Sequence, residues 1–154
     1  MRFLALFLML TVAASAADVR IVRVFSGWRD AASFKRISEY FTGRENHGGQ
    51  TVLRTQADER GGYYFLVRTA NAGAAQRVRF ELSVAVPGAH EPRHYSFPAE
   101  LPAGRQVFNL GVTGRDWPSG ETDAVAWKIE LVDASSGATI ATEKSYLWER
   151  PGLN

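Results

Sequence analysis

The chain has no cysteine, three histidines and only three lysines among its 154 residues. Without a thiol there is no disulfide, no thiol nucleophile and no site for an acyl anchor, so a folded domain must be held by its core alone. Histidines 47, 90 and 94 limit an all-imidazole metal site to three ligands. A Gly-x-Ser-x-Gly elbow and a phosphate-binding glycine loop are also missing, which removes common sequence marks of hydrolases and nucleotide enzymes. Nor is there a large excess of one charge: 18 Lys and Arg stand against 16 Asp and Glu. Nucleic acid is not an expected partner, and no cofactor or catalysis is expected.

One long apolar run is present, at the start. Arg2 precedes Phe3 to Ala14, apolar apart from Thr11, and Ala14-Ser15-Ala16 or Ser15-Ala16-Ala17 then offers the small residues that signal peptidase reads. A spanning helix needs roughly 20 apolar residues, and this run stops at about a dozen. The pattern predicts a cleaved signal peptide over residues 1–17 and a periplasmic or extracellular domain over residues 18–154, with no membrane span in the mature chain. Loss of Arg2 leaves 17 cationic side chains against 16 anionic ones. A chain of that length fits one domain that buries about two-thirds of its unfolded surface.

Period-two alternation dominates the remainder and marks strands with one buried face. Val78, Phe80, Leu82, Val84 and Val86 alternate with polar or small residues, as do Val125, Trp127, Ile129 and Leu131. Further strands are expected at Val19 to Phe25, Gln50 to Gln56, Gly62 to Ala70, Arg93 to Phe97, Arg105 to Val112 and Ala138 to Leu147. The segment from Asp133 to Gly137 predicts a hairpin whose glycine takes the left-handed conformation. A second hairpin is expected across Ala57 to Gly61. About eight strands with turn residues between them predict an all-β, antiparallel sandwich.

From Asp30 to Gly43 the pattern changes. Phe34, Ile37, Tyr40 and Phe41 fall at helical spacing between an N-cap aspartate and a C-terminal glycine. This predicts a short amphipathic helix near the mature N-terminus, its stripe closing one edge or end of the sandwich and Trp28 packing back onto it. The whole pattern is similar in architecture to the immunoglobulin-like and fibronectin-type sandwiches of exported proteins. It differs in lacking the inter-sheet cysteine pair and in having the helix. Such a likeness implies no particular function, because these sandwiches host many.

His90-Glu91-Pro92-Arg93-His94 spells the H-E-x-x-H of zinc proteases, but that chemistry needs a helix to set both imidazoles on one face. Pro92 removes an amide donor and clashes with the preceding turn. A polar loop is expected, with no metal. The loop from Gly114 to Asp123 carries Trp117, whose face would suit a sugar ring beside Asp116 and Arg115, or would plug the end of the sandwich. Asp116, Glu121 and Asp123 lack the spacing of a calcium loop.

Arg54, Arg68, Arg77 and Arg79 would form a basic stripe, though interleaved Glu81 favours a salt-bridged face. Tyr63, Tyr64 and Phe65 give one strand two apolar faces, which predicts a central strand with the opposite sheet on one side and the helix on the other. Tyr146 and Trp148 would share a face of the last strand, open to pairing if it lies at an edge. The function expected from these features is non-catalytic binding of another exported protein. Carbohydrate binding through Trp117 or Trp28, with Asp116 and Arg115 as neighbours, is the alternative, and zinc-dependent hydrolysis is a distant third.

Overall fold

The computed structural model describes residues 19–117, 120 and 122–149. The leader expected over residues 1–17, together with Pro118, Ser119, Glu121 and Pro151, lies outside them. Among the described residues there are eight strands: β1 Val19–Arg29, β2 Thr51–Arg54, β3 Gly62–Asn71, β4 Gln76–Ala85, β5 Arg93–Leu101, β6 Gly104–Thr113, β7 Ala126–Asp133 and β8 Thr139–Lys144. They form two four-stranded sheets, a first of order β1-β3-β6-β2 and a second of order β5-β4-β7-β8. The expected all-β sandwich is present. No helix of the described residues is long and apolar enough to cross a membrane.

Alternation places the core between the sheets. On β4, Val78, Phe80, Leu82 and Val84 are buried, while Arg77, Arg79 and Glu81 point outward. The first sheet answers with Phe65 and Val67 from β3 and Phe108, Leu110 and Val112 from β6. Phe80 and Phe108 meet across the interface with ring centroids 4.9 Å apart. Each fully buried side chain of this kind contributes about 1.5–3 kcal/mol, so this layer substitutes for the absent disulfides.

The β7–β8 hairpin forms as expected. The Asp133 carboxylate accepts from the Ser135 and Ser136 amides at 2.9 and 2.7 Å, and Gly137 closes the turn at φ 73°. The other expected hairpin does not form, because β2 pairs with β6 in parallel. Both edges of β3 are already taken, by β1 and β6, so β2 finds its ladder on the far side of β6. Strand β8 also ends earlier than expected, and Tyr146–Glu149 is a 3-10 turn rather than strand. β8 is an edge strand of its sheet but lies against β1 of the other.

The helix near the start is shorter than its pattern implies. A 3-10 turn at Ala32–Phe34 precedes α1, Ile37–Thr42, with Lys35 and Arg36 extended between them. Asp30 accepts from the Ser33 amide at 2.7 Å, and Gly43 ends α1 in the left-handed conformation. Only Phe34 turns inward. Ile37, Tyr40 and Phe41 are 79, 79 and 85% exposed, so the expected stripe does not close the sandwich. Two anchors set this path: Phe34 on Tyr64, and Glu39 on Arg60. Trp28 packs on the core instead of on the helix.

Candidate functional site

The outer faces of the two sheets differ in charge. The strands of the second sheet carry five basic and five acidic residues, Arg77, Arg79, Arg93, Lys128 and Lys144 against Glu81, Glu100, Glu130, Asp133 and Glu143. Neighbours pair: Arg79 Nε reaches Glu81 at 3.0 Å and Lys128 Nζ reaches Glu130 at 2.8 Å. The strands of the first sheet carry six arginines, at positions 20, 23, 29, 54, 68 and 105, and no Asp or Glu. Because successive side chains alternate across a sheet, the registers put these arginines on the face turned away from the core.

One half of that face is covered by residues 30–50. Phe34 lies on the buried Tyr64 ring, centroids 4.6 Å apart, with the Arg54 guanidinium 5.1 Å from the Phe34 ring. Arg54 Nε donates to the Tyr64 hydroxyl at 2.7 Å, and its Nη1 and Nη2 donate to the two oxygens of Glu45 at 2.9 and 2.5 Å. The Tyr64 hydroxyl in turn donates to the Arg60 carbonyl at 2.7 Å, and Arg60 Nη1 reaches Glu39 at 2.8 Å. The Arg54 hydrogen bonds hold the Glu45 carboxyl below the usual glutamate range, Arg60 does the same for Glu39, and burial pushes the Tyr64 phenol up. Gly111 makes room for this arrangement, since a Cβ there would enter the Tyr64 ring. A glycine within a strand commonly marks such a close approach.

The other half is bare. Arg20, Arg23, Arg68 and Arg105 have no ion-pair partner among the described residues. Phe25 is 47% exposed and lies between the Arg23 and Arg68 guanidinium groups, 5.5 and 5.4 Å from its centroid. A bulge between Ile21 and Arg23 shifts the β1 register and leaves Val22 53% exposed. Arg20, Val22, Arg68, Arg105 and Val107 line a groove of about 350 Å³. Chemically this surface can receive carboxylates along an apolar floor.

The residues singled out from sequence sit elsewhere. Trp117 is 3% exposed, stacks on Tyr63 with centroids 4.5 Å apart, and donates Nε1–H to the Thr122 carbonyl at 2.9 Å. It plugs the sandwich end and offers no face to a sugar. Asp116 is engaged in structure: its carboxylate accepts from Gln56 at 2.7 Å, and its carbonyl accepts from Arg93 and Tyr95 at 2.9 Å. Arg115 is exposed, and Trp28 is half-buried against the core. His90 and Glu91 form a bend, Arg93 and His94 already belong to β5, no helix forms here, and the His94 Nδ1 and Ser83 Oγ share a hydrogen bond of 2.9 Å. His47 belongs to the cover of the other sheet. No group of three or more His, Asp or Glu among the described residues is placed to hold a metal ion.

Of the arginines grouped from sequence, Arg77 and Arg79 belong to the second sheet and Arg54 is neutralised, leaving Arg68 alone on the bare half. Arg20, Arg23, Arg105 and Phe25 were not singled out from sequence. The usable signal was the lack of acidic residues in four of the eight strands, which becomes visible only when strands are sorted by sheet. The chain matches no protein-family model, no curated protein and no solved structure.

Proposed function

We propose that the chain is an exported, non-catalytic binding module that recognises another exported protein through the bare half of the first sheet. The single observation behind this reading is the charge contrast between the sheets. Six arginines without one acidic residue on four strands leave an uncompensated field where the cover ends, and such a field selects an acidic partner and speeds its approach. Phe25, Val22 and Val107 give the contact an apolar centre, and aromatic residues with arginine are the types that dominate binding energy at protein interfaces.

The strand order supports the module reading. With β2 set aside, the order β1-β3-β6 and β5-β4-β7-β8 supports reading the sandwich as similar to the fibronectin-type and immunoglobulin-like ones. The apolar leader supports a periplasmic or extracellular location. Carbohydrate binding has no comparable support, because Trp117 is buried and Trp28 packs on the core. Zinc-dependent hydrolysis has none either, since residues 90–94 are not helical.

Capture from the exported protein fraction of the source cells tests the reading. Wild type is expected to retain an acidic protein at low salt. The Arg68→Glu/Arg105→Glu double variant, with unchanged thermal stability, is expected to lose it. Equal capture by both proteins would contradict the proposal.

A further inference from the structure

Residues 30–50 do not seal the half of the first sheet that they cover. A recess of about 70 Å³ lies beneath them, with Arg29, Arg36, Glu45, His47, Gln50 and Asn109 among its lining. Asn109, on β6, is 1% exposed. Its Nδ2 donates to Gln50 Oε1 at 2.9 Å, and its Oδ1 is buried without a hydrogen-bond partner. Buried polar atoms are almost always paired, so this carbonyl oxygen marks a place for a donor.

The other polar groups around the recess narrow the choice. Both Glu45 oxygens are held by Arg54, Ser33 Oγ donates to the Asp30 carbonyl, and Asn46 bonds Ser38 Oγ and the Gly48 amide. The Arg29 and Arg36 guanidinium groups have no carboxylate partner among the described residues. Arg36 is set against Gly48, where a Cβ would collide with the guanidinium, and Arg29 stands over the Phe34 ring at 5.7 Å. What remains is therefore two exposed cations without a carboxylate partner and one buried, unpaired acceptor. An anion carrying its own hydrogen-bond donor complements both.

We propose that this recess binds a small carboxylate with a hydroxyl or ammonium group on the adjacent carbon. Arg29 and Arg36 hold the carboxylate, and Asn109 Oδ1 accepts from the donor. Size agrees with this class. A cavity of about 150 Å³ holds the six carbons of benzene, so the present volume of about 70 Å³ takes roughly three non-hydrogen atoms, the donor-bearing end of glycolate or glycine, while the carboxylate of either acid meets the exposed Arg29 and Arg36 side chains. The site stands apart from the protein-binding groove and does not depend on it.

The test is a titration of the purified protein with glycolate, glycine and acetate, followed by the NMR signals of the Asn109 side-chain amide and the Arg29 and Arg36 Nε–H groups. Saturable shifts are expected with glycolate or glycine, and about tenfold weaker binding with acetate, which has no donor for the buried oxygen. Asn109→Ala and Arg36→Gln should each weaken binding by about tenfold or more. Arg36 lies on an exposed segment, so its variant keeps the test decisive if Asn109→Ala fails to fold. No saturable shift with any of the three acids would mean that the recess holds only water and would overturn the proposal. Equal affinity for acetate and glycolate would remove the role given to Asn109.

Discussion

At the scale of single residues, Tyr64 joins the cover to the sheet. Its hydroxyl accepts from Arg54 and donates to the Arg60 carbonyl, so Tyr64→Phe leaves a partly buried donor and acceptor unpaired and should cost about 1–3 kcal/mol, read from the denaturant midpoint. Gly111→Val should loosen the cover more, since the new side chain occupies the space of the Tyr64 ring, and faster proteolysis within residues 30–50 would report it. The Glu45 carboxyl titrates below its ordinary range because Arg54 holds it. A depressed carboxylate pKa adds stability that is complete above the unfolded value, about 4.3, and is lost as pH falls through the lower folded value. The cover should therefore release in acid below about pH 4, with Glu45→Gln removing the Glu45 share of that dependence and the Glu39 carboxyl, also held low by Arg60, keeping its own. The burial of Tyr64 was legible in advance because both faces of its strand are apolar; the identity of the covering residue was not, because Phe34, Ile37 and Phe41 are equivalent in a spacing pattern.

At the scale of elements, the segment from Asp30 to Gly43 shows how spacing can be right about periodicity and wrong about docking. Its glycine stop formed and its apolar stripe did not dock, since Phe34 and Glu39 reach their anchors only by breaking the helix at Lys35 and Arg36. Tyr40→Ser and Phe41→Ser should each change stability by less than about 0.5 kcal/mol, as for other exposed positions. Phe34→Ala should cost about 2 kcal/mol, somewhat less than a fully buried phenylalanine. Thermal unfolding of the three variants separates these outcomes. The strands themselves were readable from alternation, and so was the β7–β8 hairpin, whose turn is local. The β2–β6 pairing was not, because the choice of ladder depends on which edges β3 leaves free.

At the scale of the whole molecule, the near balance of 18 basic and 16 acidic side chains conceals an asymmetry that only the sheet assignment uncovers. Every acidic residue on a strand belongs to the second sheet and the cover adds Asp30, Glu39 and Glu45, and the bare half of the first sheet is left with arginine and apolar side chains. Binding there should weaken steeply between low and physiological salt, because exposed charges are screened over about 8–10 Å. A buried apolar contact alone would show little change. The absence of cysteine makes the location of the contact directly measurable, since any single introduced thiol is unique. Val22→Cys on the first sheet and Arg79→Cys on the second should both react readily with a maleimide in the free protein. With the captured partner present, Val22→Cys should become protected while Arg79→Cys keeps its rate. Protection at Arg79→Cys with Val22→Cys unchanged would place the partner on the opposite face and contradict the assignment of the first sheet as the binding surface.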